Sequence, residues 1–412
     1  MNEVVVTGLG AVSAFGTGAE PLAEALESGR TRLSPVEPCP RLPRPPGGAT
    51  SAVLVGQAAL AEWLPPLVAR RMSPPSRWAV AAAKMALADA GLGTPGGGGA
   101  AAPDPATAVA LATSFGPVSY TQRLLDQILD EGPEAASPSL FTECVANAPA
   151  AQVAIHCRAA GRNHTICQRE AGALSALARG AADVASGRAV RALAGVAEEV
   201  TPLVFAILDR FRALARPAGA GEPEAARPFD RRRNGVVVAD GAAVVVLEPA
   251  AAAAARGARV LARVRAWGGA FDPTAGRAGW GTGAAGLAAE LRGVLDRAGL
   301  APGDLDRVVS GASGARAGDR LEAAVLRRLW AGAPPPVLAP KAVTGEYAGG
   351  FLAAAVLAAA GRRFGAPPGF AEPDDALGVS PHDGSPLPPP RRLLVSSLAA
   401  GGSAAWVILE AA

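Results

Sequence analysis

Apolar residues along this chain follow two patterns, one typical of buried strands and one typical of helices. Short apolar runs bounded by glycine or polar residues predict strands at 4–7, 109–113, 189–195, 236–238, 242–247, 260–267, 305–310, 393–397 and 405–409. Apolar residues at helical spacing predict helices at 77–90, 119–131, 170–186, 284–298, 323–330 and 349–360. A stretch rich in glycine and proline predicts a surface loop at 93–107.

The alternation of strands and helices predicts an α/β fold with mostly parallel central strands. The strands at 236–238 and 242–247 flank Asp240-Gly241, a sequence that suits a hairpin turn. The pattern does not give the topology, and the two halves of the chain share no strong self-similarity.

Composition narrows the class of protein. The 412 residues can build a large core, and the net charge of +3, from 39 basic and 36 acidic residues, gives no footprint for nucleic acid. Four scattered cysteines lack zinc spacing, and the start of the chain lacks the basic and apolar regions of a signal peptide. The longest apolar stretch, 349–361, is too short to span a membrane. We therefore expect a cytoplasmic protein without a membrane span, a metal or a cofactor.

Five segments carry motifs that resemble one family in the right order. They are VVVTGLGAVSAFGTG (4–18), GRNHTICQREAGALSALARGAADVASGRAVRALAGVAEE (161–199), ARPFDRRRNGVVVADGAAVVVLE (226–248), PKAVTGEYAGG (340–350) and SSLAAGGSAAW (396–406). Together they resemble the β-ketoacyl synthases, the condensing enzymes of fatty-acid and polyketide synthesis. The resemblance implies a thiolase-type fold, in which two similar α/β halves, 1–250 and 251–412, form a five-layer αβαβα sandwich.

In that family a cysteine lies nine residues after a glycine and starts a helix that ends in S-G or R-G. Glu170 lies nine residues after Gly161 and seventeen residues before Gly187, so counting from either glycine reaches the same residue. A carboxylate therefore holds the nucleophile position. An alternative register would place Cys167 there, but it requires two compensating gaps. Otherwise Cys167 is expected to be a small, buried apolar side chain.

The other active-site positions implied by the resemblance are also changed. Gly311 holds the position of the first histidine, and Glu346 holds the position of the second. Lys341 of the second histidine loop is kept, whereas Ala400 replaces the phenylalanine that gates the pocket.

These changes remove the chemistry that condensation requires. In the family, a thiolate accepts the acyl chain from an acyl carrier protein, and the histidines help to decarboxylate the malonyl unit. A carboxylate is a weak nucleophile towards thioesters, so Glu170 cannot replace the thiolate. Its simpler interpretation is an acidic residue stabilised at a helix N-terminus.

One branch of the family combines such losses with a similar sequence. The segment REAGALSAL (169–177) resembles the E-Q-A-G-G-L-D-A-L string of chain length factors, although Glu170 stands where they have glutamine. This implies a heterodimer with a catalytic ketosynthase, served by an acyl carrier protein, in which this subunit closes the end of the acyl tunnel. The tunnel residues carry over to Val118, Thr121 and Leu125, which share one helical face, and the partner-facing segment carries over to 141–152.

Three alternatives stay open. The chain could be a decarboxylase or acyltransferase that uses Glu170 and Glu346 as acid and base, since paired carboxylates can divide those roles. It could also be a scaffold that docks carrier protein without defining chain length. Val118, Thr121 and Leu125 could be ordinary core residues.

Overall fold

A computed structural model describes residues 2–56, 58–93, 103–219, 221–346 and 350–412. Its strands, numbered in chain order, are β1 Val4–Ser13, β2 Gly16–Thr17, β3 Ser34–Pro35, β4 Ser51–Ala52, β5 Thr107–Ala112, β6 Asn163–Ile166, β7 Arg191–Glu198, β8 Gly241–Pro249, β9 Ala262–Phe271, β10 Arg307–Ser310, β11 Val337–Leu338, β12 Arg392–Leu398 and β13 Ser403–Glu410.

The α-helices lie between these strands along the chain. They are α1 Glu20–Ser28, α2 Pro66–Ala69, α3 Pro74–Asp89, α4 Val118–Glu131, α5 Pro138–Phe141, α6 Ala148–His156, α7 Gly172–Ala185, α8 Pro202–Arg210, α9 Ala250–Ala255, α10 Ala284–Arg297, α11 Arg316–Trp330, α12 Lys341–Thr344 and α13 Gly350–Ala359. Part of the predicted loop, 94–102, and the first residue of the helix predicted at 349–360 lie outside the described residues.

The same strand order occurs twice. The first half of the chain gives the order β6-β5-β7-β8-β1, and the second half gives β11-β10-β12-β13-β9. In each half the first three strands are parallel, and the fourth is antiparallel to both of its neighbours. The two edges meet where β1 pairs with β9. We propose a division between residues 250 and 251, and this boundary stays a prediction.

One expectation about the strands holds and one is wrong. In each half four of the five strands run in the same direction, and β8 and β13 are the exceptions, because each runs antiparallel between two neighbours. The predicted hairpin does not form. Val236 pairs with Leu214 and Val238 with Glu346, so this segment bonds to distant loops and not to β8. Periodicity reports burial but not which backbone a strand meets, so it could not have given these partners.

The three largest apolar cores lie between five layers of helices and strands. The central core lies between the strands of the two halves and contains α7 and α13, which contact strands of both halves. A second core lies between the strands of the first half and helices α3 and α6. A third lies between the strands of the second half and helices α10 and α11. Strand β8 illustrates the arrangement, because Val245 faces the central core and Val244 faces α3.

The glycines of β1 explain how closely the first layer packs. A Cβ at Gly8 would collide with the Ala86 carbonyl oxygen, and one at Gly10 would collide with the Ala82 carbonyl oxygen. The backbone of α3 therefore lies directly on β1, which only glycine permits. Among the helices of the described ranges, none is both long and apolar enough to cross a membrane.

Candidate functional site

The residue at the predicted nucleophile position lies just before α7. Glu170 is the buried central residue of a short 3-10 turn, Arg169–Ala171. The backbone N–H of Ala400 donates to the Glu170 carboxylate at 3.2 Å, and the Ser397 hydroxyl donates to the Glu170 carbonyl at 2.6 Å. The positions predicted for the nucleophile and the gate are therefore in direct contact.

The neighbouring arginine completes this contact. Arg169 has a φ of 47°, a left-handed conformation that residues other than glycine rarely adopt. Its guanidinium donates to the Ala400 carbonyl at 3.2 Å. Ala400 is thus held through both its N–H and its C=O. We call this arrangement of Arg169, Glu170 and Ala400 the Ala400 clamp.

Behind the clamp lies a small inner cavity of about 20 Å³. Glu170, Glu346 and Lys341 all line it, together with Phe351. The structure therefore brings together three of the positions predicted from the sequence. A space of this size accepts about one water molecule, and an acyl chain needs far more.

Glu346 forms a buried ion pair with Lys341. Their carboxylate and ammonium groups are 2.8 Å apart, and both side chains are almost fully shielded from solvent. The Lys341 ammonium also lies 4.7 Å from the centre of the Phe351 ring. A carboxylate bound to a cation accepts hydrogen bonds and cannot supply the donor that an imidazole provides at this position. Removing either partner would leave a buried charge uncompensated.

The first histidine position has no room for a side chain. A Cβ at Gly311 would lie 2.7 Å from the Ser396 carbonyl oxygen, closer than real Cβ contacts. The Gly311 N–H donates to Glu322 at 3.2 Å, and the Ser310 hydroxyl donates to the same carboxyl at 2.8 Å. Burial raises the pKa of Glu322 to about 7. The loop that contains Gly311 therefore lies directly against β12.

An outer pocket of about 470 Å³ opens on the other side of the clamp. Arg169 and Glu170 line both this pocket and the inner cavity, so they separate the two spaces. Most of the wall is apolar, and its charged residues are mainly arginines; the wall includes Phe115, Phe211, Trp280, Arg212 and Arg316. This pocket can hold an apolar group near cationic side chains, but it ends at the clamp.

The predicted tunnel residues lie elsewhere, on α4. Val118, Thr121 and Leu125 are absent from the linings of both spaces. Val118 and Thr121 are half-buried and Leu125 is 52% exposed, whereas Tyr120 and Leu124 on the adjacent face are buried. The face that carries the three residues is thus open to a neighbouring molecule.

Two glutamates that sequence reasoning did not single out hold the start of α4. Glu198 accepts hydrogen bonds from the backbone N–H groups of Ser114 and Phe115, and Glu199 accepts from the Ser119 N–H at 2.8 Å. Burial raises the pKa of Glu198 to about 8. The available signal was the pair of acids at the end of a buried strand, where the AGVAEE motif ends.

Cys167 does not have the surroundings of an active thiol. The prediction that its side chain is buried is wrong, because the residue is exposed. Partial desolvation of the thiol and the neighbouring Glu198 carboxyl raise the pKa of Cys167, whereas nucleophilic cysteines need a lowered pKa. Within the described ranges, no group of three or more His, Cys, Asp or Glu side chains comes together as a metal site.

Comparison with known proteins gives consistent matches. The model of the β-ketoacyl synthase N-terminal domain matches residues 1–253. The tetracenomycin polyketide synthase ketoacyl synthase beta subunit of Streptomyces glaucescens is 31% identical over 359 residues, which cover 84% of this chain and 82% of the relative.

Solved structures are similar over the full length. The ishigamide ketosynthase/chain length factor superposes with a TM-score of 0.88 at 28% identity, covering 100% of this chain and 99% of that one. A β-ketoacyl synthase from Burkholderia phymatum STM815 superposes with a TM-score of 0.85 at 26% identity, covering both chains completely. The predicted thiolase-type fold is confirmed.

Proposed function

Because the chain belongs to the β-ketoacyl synthase family, as its motifs predicted, we propose that it is a chain length factor. In this proposal it is the non-condensing subunit of a cytoplasmic heterodimer with a catalytic ketosynthase, and it shapes the tunnel that receives the growing polyketide. The observation that carries the proposal is the Ala400 clamp, in which Glu170, at the predicted nucleophile position, is hydrogen-bonded to the residue at the predicted gate position.

The other two altered positions support a loss of condensing chemistry. Gly311 packs against β12 where a histidine would need space. Glu346 is committed to Lys341. Neither position can offer the hydrogen-bond donor that stabilises an enolate during decarboxylation. The subunit therefore acts through its shape, and the partner supplies the cysteine and the histidines.

A group of exposed apolar side chains supports the proposal that this chain forms a stable complex with a partner subunit. Four side chains of α4 and the 141–152 region are exposed: Leu125 at 52%, Leu129 at 70%, Phe141 at 62% and Val145 at 42%. We call these four residues the apolar partner surface. Large exposed apolar side chains grouped in this way are typical of interaction sites. An obligate heterodimer buries on the order of 2,000 Å² or more, much of it apolar.

The edge of the sheet offers a second means of association. In the described part of the chain, β6 ends the strand order and pairs only with β5. Its free edge presents unpaired backbone groups that a strand of another chain can bond. Edge pairing would extend the sheet across the heterodimer.

The tunnel end then depends on the α4 face that carries Val118, Thr121 and Leu125. Chain length factors often have phenylalanine at the first and third of these positions, so the smaller side chains here leave a deeper tunnel end, or one made for a slender linear chain. We infer that the product is extended and slender, such as a linear polyene.

The carrier protein is the second expected partner. Carrier proteins are acidic, and arginines are suitable contacts for them. Arg169, Arg212 and Arg316 line the outer pocket, which places cationic groups at the surface next to the clamp.

A second candidate function deserves a test because Glu170 and Glu346 line the same inner cavity. In that case the isolated chain would decarboxylate malonyl carrier protein with this pair as acid and base, and Glu170→Gln would abolish turnover. The ion pair between Glu346 and Lys341 opposes this role.

The proposed function is tested by co-expression with a candidate catalytic ketosynthase, followed by size-exclusion chromatography with mass detection. A stable one-to-one complex is expected, with condensing activity that this chain lacks alone. A stable homodimer that ignores every ketosynthase offered would contradict the proposal and favour the enzyme alternative.

A further inference from the structure

A buried carboxylate lies beneath the apolar partner surface and has no part in the site described above. Glu143 is only 1% exposed, although Phe141 and Val145 on either side of it are exposed. One carboxylate oxygen accepts from the Ser73 N–H at 2.9 Å and from the hydroxyls of Ser73 and Ser76 at 2.8 and 2.7 Å. The other accepts from the Gln152 amide at 2.7 Å. Four donors therefore converge on one side chain.

These donors explain why the carboxylate is tolerated in the interior. Ser73 immediately precedes α3, whose first two residues are Pro74 and Pro75, so the N-terminus of the helix lies beside the carboxylate. A helix N-terminus favours a negative charge, and buried charges are stable only when their hydrogen bonds are satisfied. Glu143 thus fastens the segment 137–147 to the first turn of α3.

The same segment is bonded to the helix that carries the tunnel residues. The Thr121 hydroxyl donates to the Cys144 carbonyl at 3.0 Å, one residue beyond Glu143. The Ser137 N–H donates to the Gln127 side chain at 3.1 Å. Helix α4 is also bonded to the segment that leads into α3, because the Tyr120 hydroxyl donates to the Met72 carbonyl at 3.1 Å. Helix α4 and segment 137–147 therefore share one anchor.

We propose that Glu143 is a positioning residue that sets the depth of the tunnel end. It fixes the position of segment 137–147 relative to the first turn of α3. Through the hydrogen bond between Cys144 and Thr121, it also fixes the position of Thr121 on α4. This inference rests on the proposed function and adds a determinant of chain length that does not touch the acyl chain.

The test measures product length by mass spectrometry in the complex of this chain with its catalytic ketosynthase. Glu143→Ala removes the acceptor for all four donors, so we expect the products to shift to chains longer by one or more extension units and to become mixed. Glu143→Gln restores the original length, because its amide oxygen can accept from the serines while its NH₂ faces a reoriented Gln152. A single unchanged length for Glu143→Ala, or equal broadening with Glu143→Gln, would overturn the inference.

Two further variants keep the test decisive. If Glu143→Ala prevents assembly, the Ser73→Ala/Ser76→Ala pair removes two donors and leaves the carboxylate, and it should still lengthen the products. No shift in that pair would overturn the positioning role. Val118→Phe serves as the reference for the proposed function itself. If Val118→Phe shortens the product while Glu143→Ala changes nothing, only the positioning role fails; if Val118→Phe has no effect in an intact complex, the proposed function fails.

Discussion

At the three positions where the family resemblance predicts lost catalytic residues, the residues present take part in the packing. Glu170 bonds the N–H of Ala400, Gly311 lies against β12, and Glu346 neutralises Lys341. Each replacement has a structural role that a return to cysteine or histidine would disrupt. Restoring one residue alone would therefore not restore condensation.

The role of Glu170 can be separated from catalysis by two substitutions. Glu170→Ala leaves the Ala400 N–H without this acceptor, and we expect a loss of about 1–3 kcal/mol in the free energy of unfolding. Glu170→Gln keeps an acceptor oxygen and should lose less. Urea unfolding of both variants checks this order. Equal stability of all three proteins would contradict the clamp.

The crowding at Gly311 gives a second prediction for single residues. Gly311→Ala places a methyl group 2.7 Å from the Ser396 carbonyl oxygen, and we expect it to destabilise the fold by about 1–3 kcal/mol. Gly286 is a matched control, because it lies exposed in α10 with nothing near a built Cβ. Gly286→Ala should stabilise by up to about 1 kcal/mol through helix propensity. Thermal unfolding compares the two, and a neutral Gly311→Ala would show that the loop is open.

The sequence identified these positions but could not give their partners. Two independent counts placed Glu170 at the nucleophile position, and the structure brings it against Ala400, 230 residues away. The ion pair between Glu346 and Lys341 was not predicted. The number of residues between two positions in a loop does not show whether their side chains are in contact. Cys167 was expected to be buried from the usual behaviour of free cysteines, and its position just before α7 made it an exception.

At the scale of elements, apolar periodicity predicted eight of the thirteen strands but only six of the thirteen α-helices in the described part of the chain. Helix α4 was expected at 119–131 and runs Val118–Glu131. Helix α11 was expected to begin at 323 but begins seven residues earlier, because its first turns are polar and glycine-containing and so hide the apolar repeat. The reversed direction of β8 and β13 was missed, since the pattern of burial is the same for parallel and antiparallel neighbours.

The apolar partner surface gives a prediction for the elements that form it. Phe141 is 62% exposed at the end of α5, and buried aromatic residues often dominate interfaces. Phe141→Asp should weaken the complex with the ketosynthase roughly tenfold or more. The matched control is Val190, which is 54% exposed and immediately precedes the first residue of β7.

Val190→Asp should leave the affinity unchanged. Titration of labelled ketosynthase with each variant measures both affinities. Equal affinities for the two variants would remove α5 from the interface.

At the scale of the whole molecule, the fold repeats one strand order twice around a shared apolar centre. The repeat was expected only from the family resemblance, because the halves lack strong self-similarity in sequence. The repeat is visible in the backbone. In the first half β8 lies antiparallel between β7 and β1, and in the second half β13 lies antiparallel between β12 and β9. Burial on both faces of the strands explains why their sequences read as continuous apolar runs.

Buried acids distributed through the molecule predict how its stability depends on pH. Burial raises the pKa of Glu198 to about 8, of Asp240 and Glu322 to about 7, and of Asp319 to about 6. Between the ordinary value and the raised value, the folded state binds more protons than the unfolded state. Stability is therefore lost as the pH rises through this window and levels off above it.

Between pH 7 and pH 8, this effect should lower the free energy of unfolding by on the order of 1.4 kcal/mol. His156, whose pKa burial lowers, acts in the opposite direction but below neutrality. Urea unfolding at each pH measures the change, and Glu198→Gln should reduce it. A stability that rises across this interval would contradict the protonated state of these acids in the folded protein.

The measurement that tests the central claim most directly is the length of the product made by the complex with Val118→Phe. Val118 begins α4 on the face shared with Thr121 and Leu125, and a phenylalanine there fills space at the proposed tunnel end. With the one-to-one complex verified by size-exclusion chromatography, mass spectrometry should find a product shorter by at least one extension unit. A product of unchanged length from an intact complex would contradict the account, because this subunit would then not define the tunnel.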